Sequence, residues 1–336
     1  MNLSGPMKVL LWPASNLYGR ITRIRVWLYS IGLFKQKRLK GKVISVGNLT
    51  VGGTGKTPMV IWLAEQFLAE GKRVAILSRG YRGTGETSDE VELMKQRLGG
   101  RVRFGVGVDR YRTGSALESV TPVDVFILDD GFQHLQLARD VNILLIDSTH
   151  VLRDEFLLPA GSLREPMSSI HRADVVFFTR SNHRQKVVQA IQESPELPIF
   201  PSETRLHRYR NLNQESHHEM EKIELPVQPI FAFCGIGNPD AFFADLGQWG
   251  NVVAGKMQFR DHHKYSATEI ERIEGWAKAA GARSLVTTEK DAMNLGSLRS
   301  ASLPLYRCDI RMHIPDATAV LGEIRRRLAA RQAVPA

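Results

Sequence analysis

The sequence predicts an α/β protein: a parallel sheet with helices on both faces, followed by a smaller C-terminal α/β domain. Three observations predict it. A glycine-rich turn lies between a short apolar run and a helical one, near-continuous apolar runs alternate with helical or loop segments, and a polar stretch precedes a second such series. Strands that are buried on both faces of a parallel sheet have this apolar character. At 336 residues the chain is long enough for about two domains.

The N-terminal segment, residues 1–40, is basic and has apolar residues at helical spacing. No Asp or Glu precedes Glu65, so the basic excess behind the net charge of +10 lies near this end of the chain. A basic amphipathic helix is predicted, with Arg20, Arg23 and Arg25 among the apolar residues Leu17, Ile21, Ile24, Leu28 and Ile31. Because arginines interrupt it, the helix is not expected to span a bilayer, and we predict that it binds an anionic membrane surface.

Two other interpretations of that helix remain open. It could pack on the protein core and leave its basic face in solvent. It could also bind nucleic acid, although no recognisable nucleic-acid-binding module accompanies it.

The glycine-rich turn is predicted to bind phosphate. It follows the predicted strand 42–46, precedes the predicted helix 58–68 and has the sequence Thr50-Val51-Gly52-Gly53-Thr54-Gly55-Lys56-Thr57. Small residues there allow backbone N–H groups to converge on phosphate oxygens, while Lys56 reaches the β and γ phosphates and Thr57 ligates Mg²⁺. Thr50 stands where the usual motif has glycine, and the alternative is a turn that only caps a helix. The predicted nucleotide-binding residues are Gly52, Gly53, Thr54, Gly55, Lys56 and Thr57.

Paired acids follow one of the later predicted strands, which cover residues 73–77, 123–128, 141–146 and 174–178. Asp129 and Asp130 come directly after the strand 123–128. Open α/β sheets bind ligands at the carboxyl ends of their strands, so one of these carboxylates is expected to hold Mg²⁺ opposite Thr57. Which of the two does so is left open, and the alternative is a surface turn of the Asp-Asp-Gly type.

The polar residues 205–226 are interpreted as a domain junction. We predict an interfacial segment 1–40, a nucleotide-binding core 41–215 and a smaller α/β domain 216–336. In the last of these the predicted strands are 229–234 and 284–287, and the predicted helices are 239–246, 267–280 and 317–330.

Cysteine and histidine usage predicts neither disulfides nor a structural metal. Cys234 and Cys308 are the only cysteines and lie far apart, which favours a reducing compartment. The pairs His217-His218 and His262-His263 lack the spacing of zinc ligands.

An ordered set of motifs resembles a known family. GNLTVGGTGKT, SRGY, DDGFQH, LPAGSLREP, GIGNP and FRDHH occur in this order, and together they resemble the tetraacyldisaccharide 4'-kinases over about residues 43–294. The resemblance implies ATP- and Mg²⁺-dependent phosphorylation of the 4'-hydroxyl of an acylated disaccharide 1-phosphate lipid. It also implies a peripheral enzyme on the cytoplasmic face of the bacterial inner membrane, with that lipid as a partner. The basic helix adds an anionic membrane surface as a predicted partner, no nucleic acid is expected, and no protein partner is inferred.

The resemblance further implies roles for single residues. Asp89 would accept the proton of the sugar hydroxyl with support from His262, and Glu90 would assist the metal or its water shell. Arg164 would stabilise charge on the transferred phosphoryl group, although an ion pair with Glu165 or another acid is the alternative. Tyr81 and His134 would line the nucleotide site, or else serve in packing. The acids lie between Ser88 and Val91, where the family commonly has GDEP, which puts the loop geometry in doubt.

A nucleotide-binding loop also occurs in GTPases and in ATPases that act as switches or deliver cargo. Thr179-Arg180-Ser181-Asn182 lacks the aspartate of a guanine-reading NKxD motif, so adenine is the predicted base. A kinase is predicted, with a P-loop ATPase that lacks a sugar acceptor as the alternative.

Overall fold

The structure is a computed structural model that describes residues 5–80, 88–148, 156–180, 197–213 and 225–330. Tyr81, His217 and His218 lie outside these ranges. The chain forms two compact units: the first comprises Met1–Thr204 together with Met312–Ala336, and the second comprises Arg205–Arg311.

The first unit is built on a parallel sheet. Its strands are β1 (Lys42–Asn48), β2 (Val74–Ser78), β3 (Arg103–Val106), β4 (Val125–Leu128), β5 (Val141–Asp147), β6 (Val175–Thr179) and the start of β7 (Ile199–Asn211). The strand order is β3-β2-β4-β1-β5-β6-β7, and the pairs are parallel. Because β1 and β4 are neighbours, with Ser45 opposite Leu128, the loops that follow them leave the same edge of the sheet.

The described helices of the chain occur in both units. They are α1 (Gly5–Ser30), α2 (Lys56–Ala69), α3 (Asp89–Leu98), α4 (Arg110–Val120), α5 (Pro239–Gln248), α6 (Ala267–Ala279), α7 (Glu289–Leu295) and α8 (Ala317–Ala330).

Alternate residues of the first sheet pack against helices on opposite faces. Ile44 of β1 belongs to a core that also contains Leu63 of α2, Met94 of α3 and Ile324 of α8. Val43, the next residue back, belongs to a separate core against which α4 packs. This is the alternation of a strand buried on both faces, and the predicted α/β class with helices on both faces is confirmed.

The second unit has its own small parallel sheet. Its strands β8 (Ile230–Cys234), β9 (Val253–Gln258), β10 (Ser284–Thr288) and most of β11 (Leu305–His313) follow the order β11-β10-β8-β9. Ile230 and Ala232 face one core, whereas Phe231 and Phe233 face another. Both cysteines are free, and both are buried.

The division of the chain differs from the predicted one in two respects. Residues 205–211, which we predicted as the start of a domain junction, form the second half of strand β7, which ends at Asn211. The C-terminal helix α8, which we predicted in the smaller domain, belongs to the first unit, where Val320 and Ile324 are buried in the same core as Ile44. The helix α8 is assigned to the first unit because its apolar side chains are buried there, although it follows the second unit in the sequence.

Candidate active site

The predicted phosphate-binding loop connects β1 to α2. Gly55 lies at the N-cap of α2 with φ 86°, a left-handed conformation that favours glycine, and no side chain caps this helix end. The helix N-terminus, with its partial positive charge and its N–H groups, is suited to binding an anion. Lys56 and Thr57 are the first residues of α2, with the Lys56 side chain 12% exposed and Thr57 buried.

The backbone next to the loop is fixed by the segment that carries Arg164. The Arg164 N–H donates to Leu49 O at 2.7 Å, and the Val51 N–H donates to Ser162 O at 2.8 Å. The Tyr18 hydroxyl of α1 donates to Arg164 O at 2.9 Å. Arg164 therefore lies at the beginning of the phosphate-binding loop, although it is far from it in the sequence.

Asp130 contacts both of the predicted cationic residues. Its Oδ1 lies 3.5 Å from Lys56 Nζ, and Arg164 Nη1 donates to its two oxygens at 2.8 and 2.7 Å. Although burial opposes ionisation, the charges of Lys56 and Arg164 hold the pKa of Asp130 below its ordinary value. The carboxylate therefore keeps both cations on one side of the loop.

The alternative partner of Arg164, Glu165, is engaged elsewhere. Glu165 is buried and forms an ion pair with Arg172. Arg172 in turn lies over the ring of Phe132, 4.4 Å from its centroid. Arg164 therefore pairs with another acid, Asp130, and not with its sequence neighbour Glu165.

Asp129 is in a different environment from its neighbour. It is 3% exposed and accepts a hydrogen bond from Ser78 Oγ at 3.2 Å. Burial, together with the negative charges of Glu90 and Asp130, raises the pKa of Asp129 to about 7. A cation nearby would favour its charged form.

In the described part of the chain, no three His, Cys, Asp or Glu side chains cluster as a metal site. Mg²⁺ does not need one, since it is usually held by one or two carboxylates, phosphate oxygens and water.

Asp89 and Glu90 begin α3. Ser88 is the N-cap, and its side chain accepts a hydrogen bond from the Val91 N–H at 3.3 Å. Acids in a first helical turn are favoured by the helix dipole, which is sufficient reason for carboxylates here. The charge of Glu90 acts on Asp129, however, so this helix end faces the carboxylate pair as well.

A buried arginine that the sequence analysis did not single out lies beside His134. Arg110, the first residue of α4, is 6% exposed, and its Nη1 lies 3.1 Å from His134 Nδ1. Burial lowers the pKa of Arg110, and the charges of Asp130 and Asp129 oppose the shift. Burial and then the Arg110 charge lower the pKa of His134 to about 4, so His134 is neutral at pH 7. Sequence spacing gives no sign of this pair, because burial of an arginine is set by tertiary packing.

His262 lies in the second unit, in the loop between β9 and α6. Its φ is 61°, and its Nε2 lies 3.8 Å from Asp261 Oδ2. The side chain is 39% exposed. The first unit brings together Lys56, Asp129, Asp130 and Arg164, whereas a meeting of Asp89 with His262 stays a prediction.

The helix α1 packs through small and polar residues and leaves many of its apolar side chains exposed. Ser15 is buried, donates to Leu157 O at 2.6 Å and accepts from the Ala160 N–H at 3.0 Å. Gly19 is also buried, and a Cβ there would lie 2.6 Å from Leu157 Cδ1. Eleven large apolar side chains of residues 5–34 are 45–79% exposed: Met7, Val9, Leu10, Trp12, Leu17, Ile21, Ile24, Trp27, Ile31, Leu33 and Phe34. No helix among the described residues is long and apolar enough to cross a membrane.

Comparison with known proteins gives one consistent result. The model of the family described as tetraacyldisaccharide-1-P 4'-kinase matches residues 7–329. A tetraacyldisaccharide 4'-kinase of Geobacter metallireducens is 38% identical over 330 residues, which cover 89% of this chain and 92% of that relative. One from Pelobacter propionicus is 38% identical over 340 residues, which cover 94% and 91%. The crystal structure of Aquifex aeolicus LpxK in complex with ATP matches with a TM-score of 0.71 and 32% identity, over 96% of this chain and 99% of that one.

Proposed function

The chain belongs to the tetraacyldisaccharide-1-P 4'-kinase family, and from this premise we propose that Lys56, Asp129, Asp130 and Arg164 form its kinase centre. The reaction of the family is the ATP-dependent phosphorylation of the 4'-hydroxyl of the lipid A precursor, a tetraacyldisaccharide 1-phosphate. The alternative of an ATPase switch or cargo-delivery protein is not favoured, because the family model extends over nearly the whole chain.

One observation carries the proposed mechanism: the Asp130 carboxylate lies between Lys56 and Arg164. Phosphoryl transfer spreads negative charge over the γ-phosphoryl oxygens, and catalysis consists mainly of positioning and charge stabilisation. Two cations held beside the phosphate-binding loop are arranged for that task. Because Asp130 orients both of them, little reorganisation is needed when the triphosphate binds.

The residues present fit a magnesium ion. Thr57 offers a hydroxyl at the N-terminus of α2, and Asp129 is a buried carboxyl group whose raised pKa a nearby cation would lower. Asp130 is engaged by two cations, so Asp129 is the better candidate for the metal, directly or through water, with Glu90 in support. When bound, Mg²⁺ would neutralise charge on the β and γ phosphates.

In the proposed reaction the 4'-oxygen attacks the γ-phosphorus in line. The new O–P bond forms while the bond to the bridging oxygen of ADP breaks, and the hydroxyl proton passes to Asp89. A supporting role of His262 is proposed from the family resemblance alone. Asp89 and Glu90 are adjacent at the start of α3, and the charge of Glu90 acts on Asp129. This proximity supports a place for Asp89 near the reacting phosphate. Gly52 to Thr57, His134 and, by family resemblance, Tyr81 would bind the nucleotide.

The reaction is tested by incubating the purified protein with γ-labelled ATP and tetraacyldisaccharide 1-phosphate. We expect one labelled lipid product, phosphorylated at the 4' position, and equimolar ADP. The disaccharide with a blocked 4'-hydroxyl is the control and should receive no label. Hydrolysis of ATP at an equal rate with and without the lipid would instead support the switch or cargo-delivery alternative.

The exposed apolar face of α1 supports peripheral binding to an anionic membrane. An apolar stripe of this length is unusual on a soluble surface, and exposed Arg20, Arg23 and Arg25 lie in the same helix. Apolar burial at the interface, together with about 1 kcal/mol per basic residue near the anionic headgroups, is enough for reversible binding. The lipid substrate would be met at the cytoplasmic surface of the inner membrane.

Replacing Leu17, Ile21 and Ile24 together with serine should reduce binding to anionic vesicles at least about 10-fold, because each buried aliphatic side chain contributes roughly 1.5–3 kcal/mol. Flotation with phosphatidylglycerol-containing vesicles measures this. Val120→Ser, a change at a position 84% exposed in α4, is the matched control and should float like the unmodified protein. Equal flotation of the triple variant and the control would contradict the proposal. Flotation of the unmodified protein that high salt does not reduce would also contradict it, because the proposed attraction of the arginines to anionic headgroups would then be absent.

A further inference from the structure

Asp291 is a buried carboxylate of the second unit that the proposed mechanism does not use. It is 0% exposed and lies in the first turn of α7. Its Oδ1 accepts hydrogen bonds from the Gly235 N–H at 2.8 Å and from the Tyr265 hydroxyl at 2.8 Å, and its Oδ2 accepts from Thr288 Oγ1 at 2.5 Å. Buried acceptors are stable when they are satisfied in this way, so the three donors fix the position of the carboxylate.

The same carboxylate holds the chain on both sides of His262. The Gly235 carbonyl accepts a hydrogen bond from the His262 N–H at 3.1 Å, while the Gly235 N–H donates to Asp291. Tyr265, which follows His262 in the same loop, donates to the same oxygen. A Cβ on residue 235 would lie 2.8 Å from Arg260 O and 3.3 Å from Asp291 Oδ1, so the close approach requires glycine.

The backbone of His262 has a conformation that needs such support. Its φ of 61° is uncommon for a residue other than glycine and is kept where surrounding contacts impose it. The next residue, His263, stacks on Phe259 with a centroid distance of 4.6 Å, and its Nε2 lies 3.1 Å from Glu269 Oε1. The loop 259–265 is thus held by the buried Asp291 and by half-buried contacts of His263, whereas the His262 side chain itself remains 39% exposed.

We propose that Asp291 is a positioning residue for His262, which it holds through Gly235 on one side and Tyr265 on the other. This inference rests on the proposed role of His262 in the kinase reaction. Displacing a catalytic group by about 1 Å can reduce turnover by roughly 10²-fold, so a residue that touches neither substrate nor nucleotide can govern kcat.

The test is a double-mutant cycle on the full-length enzyme. Asp291→Ala should lower kcat about 10- to 100-fold and leave the KM for ATP within about 2-fold. If Asp291 acts through His262, the double variant Asp291→Ala/His262→Ala should be no slower than His262→Ala alone. Asp291→Asn keeps an oxygen for Gly235 and Tyr265, and should retain most of the turnover.

Glu274 provides the matched control, since it is a buried carboxylate of the same unit that accepts hydrogen bonds from Ser300 and Ser302. Glu274→Ala should lower the melting temperature and leave kcat unchanged. Hydrogen exchange of peptides covering 259–265 should accelerate in Asp291→Ala and remain slow in the Glu274 variant. If Asp291→Ala does not fold, Tyr265→Phe removes one of the two contacts and should lower kcat about 3- to 10-fold, again without adding to His262→Ala.

Unchanged kcat in Asp291→Ala, or losses that multiply with those of His262→Ala, would overturn the inference alone. Unchanged kcat in His262→Ala would overturn the proposed role of His262 and this inference together.

Discussion

Lys56→Ala is expected to lower kcat for lipid phosphorylation by at least about 10³-fold, because it removes a cation placed where negative charge develops on the transferred group. Lys56 is largely buried at the first position of α2, so solvent cannot replace its charge at low cost. The loss should appear in kcat as well as in the KM for ATP, since in the proposed mechanism the ammonium group would contact the phosphates in the ground state and in the transition state. Steady-state assays with labelled ATP measure both constants.

Lys42→Ala is the matched control for Lys56. Lys42 lies at the opposite end of β1, where its Nζ is 3.7 Å from Asp140 Oδ1, and it is the other lysine of this strand–loop–helix unit. Its removal should affect stability slightly and turnover by less than about 3-fold. Retention of more than about a tenth of the turnover in Lys56→Ala would contradict the proposed kinase centre.

The strongest local patterns in the sequence predicted their elements well. The run 42–46 and the helix after the glycine-rich turn correspond to β1 and α2, because a continuous apolar strand and the apolar spacing of a helix are local signals. Short or charged strands were not predicted: β3 is only Arg103–Val106, and β7 carries Arg205, Arg208 and Arg210 and is mostly half-buried or exposed. The unit to which α8 belongs could not be derived, since it depends on which core buries Ile324.

Sequence motifs predicted the parts of the candidate site that lie within one loop or at one strand end. They did not predict the contacts that depend on tertiary packing. The loop with Lys56 and the pair Asp129-Asp130 follow from small residues and from acids at a strand end. The partner of Arg164 did not follow, because Glu165 is its neighbour in sequence while Asp130 is its neighbour in space. Likewise, the different pKa shifts of Asp129 and Asp130 come from burial and from cations that only the fold brings to them.

Asp89→Asn is the second change with a large expected effect: kcat should fall about 10²- to 10⁴-fold, the range for removing a general base. Two explanations of this acid make different predictions. As a residue of the first turn of α3, Asp89 would only stabilise the helix dipole, which is worth about 0.3–1 kcal/mol of stability and nothing in turnover. As the base, it should leave the KM for ATP unchanged and reduce kcat, since proton transfer occurs only in the chemical step.

Glu92→Gln separates these explanations, because Glu92 is also an acid in the first turn of α3 and pairs with Lys95 at 2.8 Å. Both variants lose a charge from the same helix end, so a role limited to the helix dipole predicts similar small losses of stability and equal kcat. We expect Glu92→Gln to keep full turnover while Asp89→Asn loses it, with similarly small decreases in melting temperature for both variants. Turnover of Asp89→Asn within about 3-fold of the unmodified enzyme would exclude Asp89 as the base. The effect of the Glu90 charge on Asp129 would then be what this helix end contributes to the site.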